Sequence, residues 1–304
     1  TDAMAGLFLY HGITNVRDTG GLLEDLLPVV DTLRSAGSNA PNIWYSGPLL
    51  DGKDVVYDGV NFPGLGIANP TPEAALANIA EIHAAGASFL KIYEMVTPEV
   101  FAAIVEEAGA RNLPIDGHVP LSMRARDVAP QVQSLEHLRN YEMDCVEDPE
   151  LWLAARQAEL ANLANEPGNV LRARLHTLQR LTAITNEDPL LCSETTEALK
   201  ATITVPTLRM NSMDLYVPFD RDDFDRAMDL IPGSVSEEWR NARDALATSE
   251  EAVDTTFAEW SLRRTGELHL AGAPIAAGTD TPIGWSIPGY SLHTELEQYV
   301  EVGM

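Results

Sequence analysis

Basic residues are scarce in this chain: 20 lysines and arginines stand against 46 aspartates and glutamates over 304 residues, a formal net charge of −26. A surface that acidic repels phosphate backbones and anionic headgroups, which argues against nucleic acid and membrane partners but says little about the substrate. Cysteine is scarcer still. Cys145 and Cys192 are too few for a disulfide framework, and their spacing matches no zinc-binding pattern. No apolar run approaches the roughly 18 residues that cross a bilayer. The opening stretch, Thr1 to Gly12, lacks the basic segment of a signal peptide. It reads as the tail of an amphipathic helix closing at a glycine, so the expected protein is a piece of a longer chain, able to form a homo-oligomer through a cut edge.

What is present is ordinary globular material, 45% hydrophobic and 22% charged. A single α/β barrel of roughly 250 residues fits this length without a second domain. Short apolar runs alternate with helical stretches, the pattern of βα units and a parallel sheet. Seven runs read as strands: Ile13–Arg17, Asn42–Ser46, Ser88–Tyr93, Pro114–Val119, Ser134–His137, Thr202–Pro206 and Pro274–Ala277. Helices are expected over Gly21–Ala36, Pro72–Ala85 and Pro98–Arg111. The last two open Thr-Pro-Glu, which offers an N-cap, a proline at N1 and an acid in the first turn. Longer helical insertions are expected at about 149–200 and 220–272, on the face where barrels carry their lids. Seven strands leave an eight-stranded barrel one short, and the missing one belongs upstream of the opening helix.

Four strand ends carry unusual residues. Lys91 interrupts the apolar run Phe89-Leu90-Lys91-Ile92-Tyr93, His118 and His137 each close a strand, and Asp280 follows the small-residue bend Ala277-Gly278-Thr279. Singly, a strand lysine snorkels, a strand-end histidine bonds locally and an aspartate caps a helix. Together at one barrel mouth, they read as a shared metal site.

The segments Gly12-Ile13-Thr14-Asn15-Val16-Arg17-Asp18, Lys91-Ile92-Tyr93, Gly117-His118-Val119-Pro120, Leu135-Glu136-His137 and Ala277-Gly278-Thr279-Asp280, in this order, resemble the amidohydrolase superfamily. The likeness is to its imidazolonepropionase-like and prolidase-like branch of metal-dependent hydrolases. Leu292-His293-Thr294-Glu295-Leu296-Glu297 resembles that branch too. The resemblance implies a TIM-type (β/α)8 barrel spanning residues 1–304, here with seven strands and without the family's flanking β-sandwich. It implies that Lys91 is carboxylated by carbon dioxide and bridges two divalent metal ions. His118 and His137 would bind the second ion, and Asp280 would bind the first and act as general base. Zinc suits such mixed nitrogen and oxygen ligation at an open site. The implied reaction is attack of a metal-activated hydroxide on an amide, cyclic amide or peptide-like C–N bond, with Asp280 passing the proton to the leaving nitrogen.

One element of the pattern is missing. The family's first strand ends in His-x-His, and none of the seven histidines here stands two residues from another. Either the sequence is a fragment, or it is a truncated relative with a crippled site that binds a small ligand without catalysis. Ester or organophosphate hydrolysis on the same site is a further alternative. Tyr93, two residues after Lys91, points to the same side and is a substrate candidate. Arg139 and Arg209 follow strand ends and could hold a carboxylate, and His293 could line the pocket. Pro120 replaces the aromatic residue that dipeptidase-like members often carry. His11 is expected to pack locally, His269 to be structural, and His83 and His176 to lie on the surface. Glu136, next to His137, is expected to face the opposite side of its strand.

Overall fold

The computed structural model describes residues 2–60, 62–162, 166–216, 221–248 and 253–304. Among the described residues eight strands form: β1 (Asn15–Asp18), β2 (Asn42–Tyr45), β3 (Leu49–Asp51), β4 (Gly66–Ala68), β5 (Leu90–Ile92), β6 (Ile115–Gly117), β7 (Ser134–Glu136) and β8 (Ile203–Val205). All pairings among them are parallel. β1 and β2 form a two-stranded sheet, and the other six run in the order β4-β3-β5-β6-β7-β8. The fold is α/β with a six-stranded parallel sheet, and no barrel closes among the described residues.

Six of the seven runs expected to be strands contain one over part of their length, and the pairing differs in two places. Pro274–Ala277 makes a single parallel bridge, Ile275 to Thr204, in place of a ladder. The stretch after β2 turns at Gly47 and pairs again as β3, which meets β5 at Leu50 and Ile92. β3 and β4 were not expected, because three-residue strands set among glycines and prolines carry no readable alternation. The Tyr45 carbonyl accepts from the Ser88 backbone N–H at 2.8 Å, which draws β2 toward the start of β5.

Helices cover the outer face of the sheet. Pro72–Ala84 and Pro98–Arg111 begin where the Thr-Pro-Glu signals place them, and the Thr71 and Thr97 hydroxyls accept from Ala74 and Val100 backbone N–H groups. Ile79, Ile82, Phe101 and Ile104 from these helices pack on Leu50, Leu90, Ile92, Ile115 and Leu135 of the sheet. The first insertion comprises helices Pro149–Asn162, Gly168–Thr185 and Cys192–Leu199. The second comprises Phe224–Met228, Gly233–Ala247 and Thr256–Ala271. Cys145 and Cys192 are joined in a disulfide across the first insertion, a single bridge that the count of two cysteines did not suggest. No helix is long and apolar enough to cross a membrane among the described residues.

Candidate metal centre

Alternation along three short strands sorts the chemistry from the core. Leu90, Ile92, Ile115 and Leu135 turn toward the covering helices. Lys91, Asp116, Ser134 and Glu136 therefore turn to the opposite face, and His118 follows Asp116 by two residues. Gly117, between them, has no room for a side chain: a Cβ there would lie 2.3 Å from Ile92 Cγ1 and 2.4 Å from the Ile92 carbonyl oxygen.

The expectation that Glu136 faces away from the site is corrected here. Its carboxylate meets the Lys91 ammonium, and its other oxygen lies 3.3 Å from an Arg17 nitrogen. Period-two alternation fails one residue later, because His137 adopts φ 59°, the left-handed region, and so turns its ring to the same side as Glu136. Asp280, at φ 52°, is set by the same kind of turn.

These turns bring the expected ligands together. The His118 and His137 rings lie 4.9 Å apart at 88°. Ligand atoms of His118, Glu136 and His137 fall within 4.8 Å of one another. His137 Nε2 is 3.9 Å from both Glu136 Oε2 and Asp280 Oδ2. His118 Nδ1 bonds Glu94 Oε1 at 2.8 Å and His137 Nδ1 bonds Thr207 Oγ1 at 2.9 Å, which leaves each Nε2 for a ligand. Burial pulls His118 down to about 3 against the opposing Glu94 bond, and burial with the His118 neighbour holds His137 well below the usual imidazole range. Both are therefore neutral at pH 7, with lone pairs to offer. Burial also brings Lys91 down to about 7, although Asp116, Asp280 and Glu94 pull it up.

The substrate candidates separate. The Tyr93 ring sits 4.6 Å from that of His118, beside the site. Arg139 feels Arg172, Glu94 and Tyr93, and its Nε is buried without a hydrogen-bond partner. Arg209 is committed elsewhere: it donates to the Ile283 and Gly284 carbonyls, both at 2.9 Å, and so fixes the turn after Asp280. His293 packs its ring 5.5 Å from that of His11. His176, expected at the surface, instead reaches Glu94 Oε2 at 2.6 Å with 11% of its side chain exposed.

No family model matches the chain, and no curated protein does. Solved structures match along its whole length. A bottromycin amidohydrolase aligns with 99% of this chain and 60% of its own at TM-score 0.68 and 20% identity. A Xaa-Pro dipeptidase with bound methionine aligns with 99% and 62% at TM-score 0.59 and 16% identity. An A. niger ochratoxinase aligns with 99% and 59% at TM-score 0.55 and 18% identity. The fold is that of the amidohydrolase and prolidase-like proteins. The chain spans about three-fifths of the length of these relatives.

The donor set on this amidohydrolase fold suits a divalent cation. Two neutral imidazole nitrogens and a carboxylate converge, Asp280 stands at the rim with 29% of its side chain exposed, and Asp116 Oδ1 is buried with no hydrogen-bond partner. The set is sufficient for one ion. Among the described residues the other histidines are engaged or turned away: His11 on His293, His83 beside Arg111, His176 on Glu94 and His269 at the surface.

Sequence reasoning missed Glu94, Arg17, Asp116 and the inward Glu136. Glu94 and Asp116 lie within three residues of named ligand candidates, so adjacency to Lys91 and His118 was the available signal.

Proposed function

We propose that this chain is the metal-binding part of a hydrolase that cleaves the C–N bond of an amide, cyclic amide or peptide-like small molecule. The observation that carries the reading is the convergence of His118 and His137, each with Nδ1 engaged and Nε2 free, beside Lys91, Glu136 and Asp280. Residues 1–304 are read as one TIM-type barrel scaffold, with helical insertions at about 149–200 and 220–272. A divalent ion, with zinc the best fit to these donors, would supply Lewis acidity that polarises a carbonyl and acidifies water.

The protein's own groups then have defined tasks. His118 Nε2, His137 Nε2 and Asp280 would hold the ion, with the set completed by Glu136 or by a carboxylated Lys91 in its place. Asp280, at the rim, accepts a proton from the attacking water and returns it to the leaving nitrogen. Lys91, drawn to about 7 by burial, is unprotonated often enough near neutrality to react with carbon dioxide, which makes it the candidate for carboxylation. Tyr93, whose ring lies against that of His118, and Arg139, whose charge acts on it, are the substrate-contacting candidates.

The test is a hydrolysis screen of the zinc-loaded protein against N-acyl amino acids, dipeptides, lactams, aryl esters and organophosphates. Turnover of an amide that a chelator abolishes and zinc restores is the expected result. Turnover confined to esters or organophosphates would move the reading to that alternative. Tight zinc binding with no turnover of any of them would identify a ligand-binding barrel.

A further inference from the structure

Glu94 lies in the loop after β5 and is completely buried, yet it is neither a ligand candidate nor open to substrate. Its two oxygens are spoken for by three donors. Oε1 accepts from His118 Nδ1 at 2.8 Å and from Arg172 Nε at 2.8 Å, and Oε2 accepts from His176 Nε2 at 2.6 Å. The hydrogen positions follow from the partners. Arg180 can only donate, and its nitrogen lies 2.5 Å from His176 Nδ1, so His176 carries its proton on Nε2 and gives it to Glu94. An ionised Glu94 can only accept, so His118 carries its proton on Nδ1 and presents a bare Nε2.

Arg172, His176 and Arg180 all come from the inserted helix Gly168–Thr185, at intervals of four residues, which puts them on one face. That face is aimed at the site. Arg172 also lies over the Tyr93 ring, and Arg180 over the Phe257 ring 4.7 Å away, so the helix is seated at several points.

Resting on the metal-centre reading above, we infer that Glu94 is a positioning residue through which the inserted helix sets the tautomer and orientation of His118. The insertion is then part of the metal centre and not only its cover. A helix that leaves its seat takes two of Glu94's donors with it, and a Glu94 carboxylate without them is free to swing off His118. Metal affinity and the docking of the helix are coupled by this chain of four side chains.

Two readouts on the full chain test it. In metal-free protein, nitrogen NMR of the His118 ring shows the Nδ1-protonated form, and Glu94→Gln shifts it toward the Nε2-protonated form. In a zinc titration with a competing chelator, Glu94→Gln weakens binding about 10- to 100-fold, the usual effect of losing such an outer carboxylate. His176→Asn weakens it less, in the same direction, and serves as the probe if Glu94→Gln does not fold. A folded variant with unchanged His118 tautomer and unchanged zinc affinity overturns the inference. Wild-type protein that binds no zinc overturns the metal centre itself, while the NMR measurement still decides whether Glu94 sets the ring.

Discussion

Lys91 and Glu136 meet side chain to side chain on the inner face of the sheet, both almost fully withdrawn from solvent. Neither charge would be stable there alone, since an unpaired buried ion costs several kcal/mol. The pair also sets up a competition, because an amine held as an ammonium by Glu136 cannot react with carbon dioxide. If Lys91 is carboxylated, Lys91→Ala loses most zinc binding, and millimolar acetate or propionate restores part of it by standing in for the carbamate. If Lys91 serves only as the partner of Glu136, Lys91→Ala keeps its zinc and ignores the added acid. Equilibrium dialysis with and without the acid separates the two.

Zinc stoichiometry checks the donor set. One ion per chain is expected, with unfolding stabilised by about 2.7 kcal/mol at a free zinc concentration 100-fold above the dissociation constant. His118→Ala and His137→Ala should each remove most of that stabilisation. Two tightly bound ions per chain, by elemental analysis, would contradict the ligand assignment.

Asp280→Asn should leave the fold intact and cut amide turnover about 100- to 10,000-fold, because an amide cannot take up the proton of the attacking water. Circular dichroism confirms the fold, and the rate is read on the best substrate of the screen. Undiminished turnover would make the proton-shuttle role untenable.

Asp51 supplies a pH dependence from outside the ligand set. Burial raises its carboxyl from 3.8 to about 6, against the backbone N–H groups of Val56, Met95 and Gly52 that favour the ionised form. A raised carboxyl stabilises the fold fully below the unfolded value and loses that contribution as pH rises through about 6. Relative to Asp51→Asn, the metal-free wild type should therefore lose up to about 3 kcal/mol between pH 4 and pH 7, since each tenfold difference in proton affinity is worth roughly 1.4 kcal/mol. Urea unfolding at several pH values gives the difference, and a flat line would refute this account of Asp51.

How far the sequence carried can be judged residue by residue. The Thr-Pro-Glu helix starts and six of the seven strand runs were legible because caps and apolar alternation act over a few residues. β3 and β4 were hidden by their shortness. Glu136 was misread because alternation assumes extended backbone, and His137 leaves it. His176 looked like a surface histidine because its partner, Glu94, stands 82 positions away in the chain. Spacing can place Arg172, His176 and Arg180 on one helix face, but the acid that Arg172 and His176 hold belongs to tertiary structure.

Thr207 has φ 51°, in the left-handed region that a β-branched residue rarely occupies, and its hydroxyl is the one that meets His137. Evolution at this position is therefore pulled two ways. Glycine or asparagine would tolerate such a backbone at lower cost. Either change withdraws the hydroxyl that orients a ligand candidate. The strained backbone of a residue far from the surface is thus tied to a single side-chain bond, and removing the hydroxyl would leave a buried imidazole nitrogen unpaired in exchange for the relief.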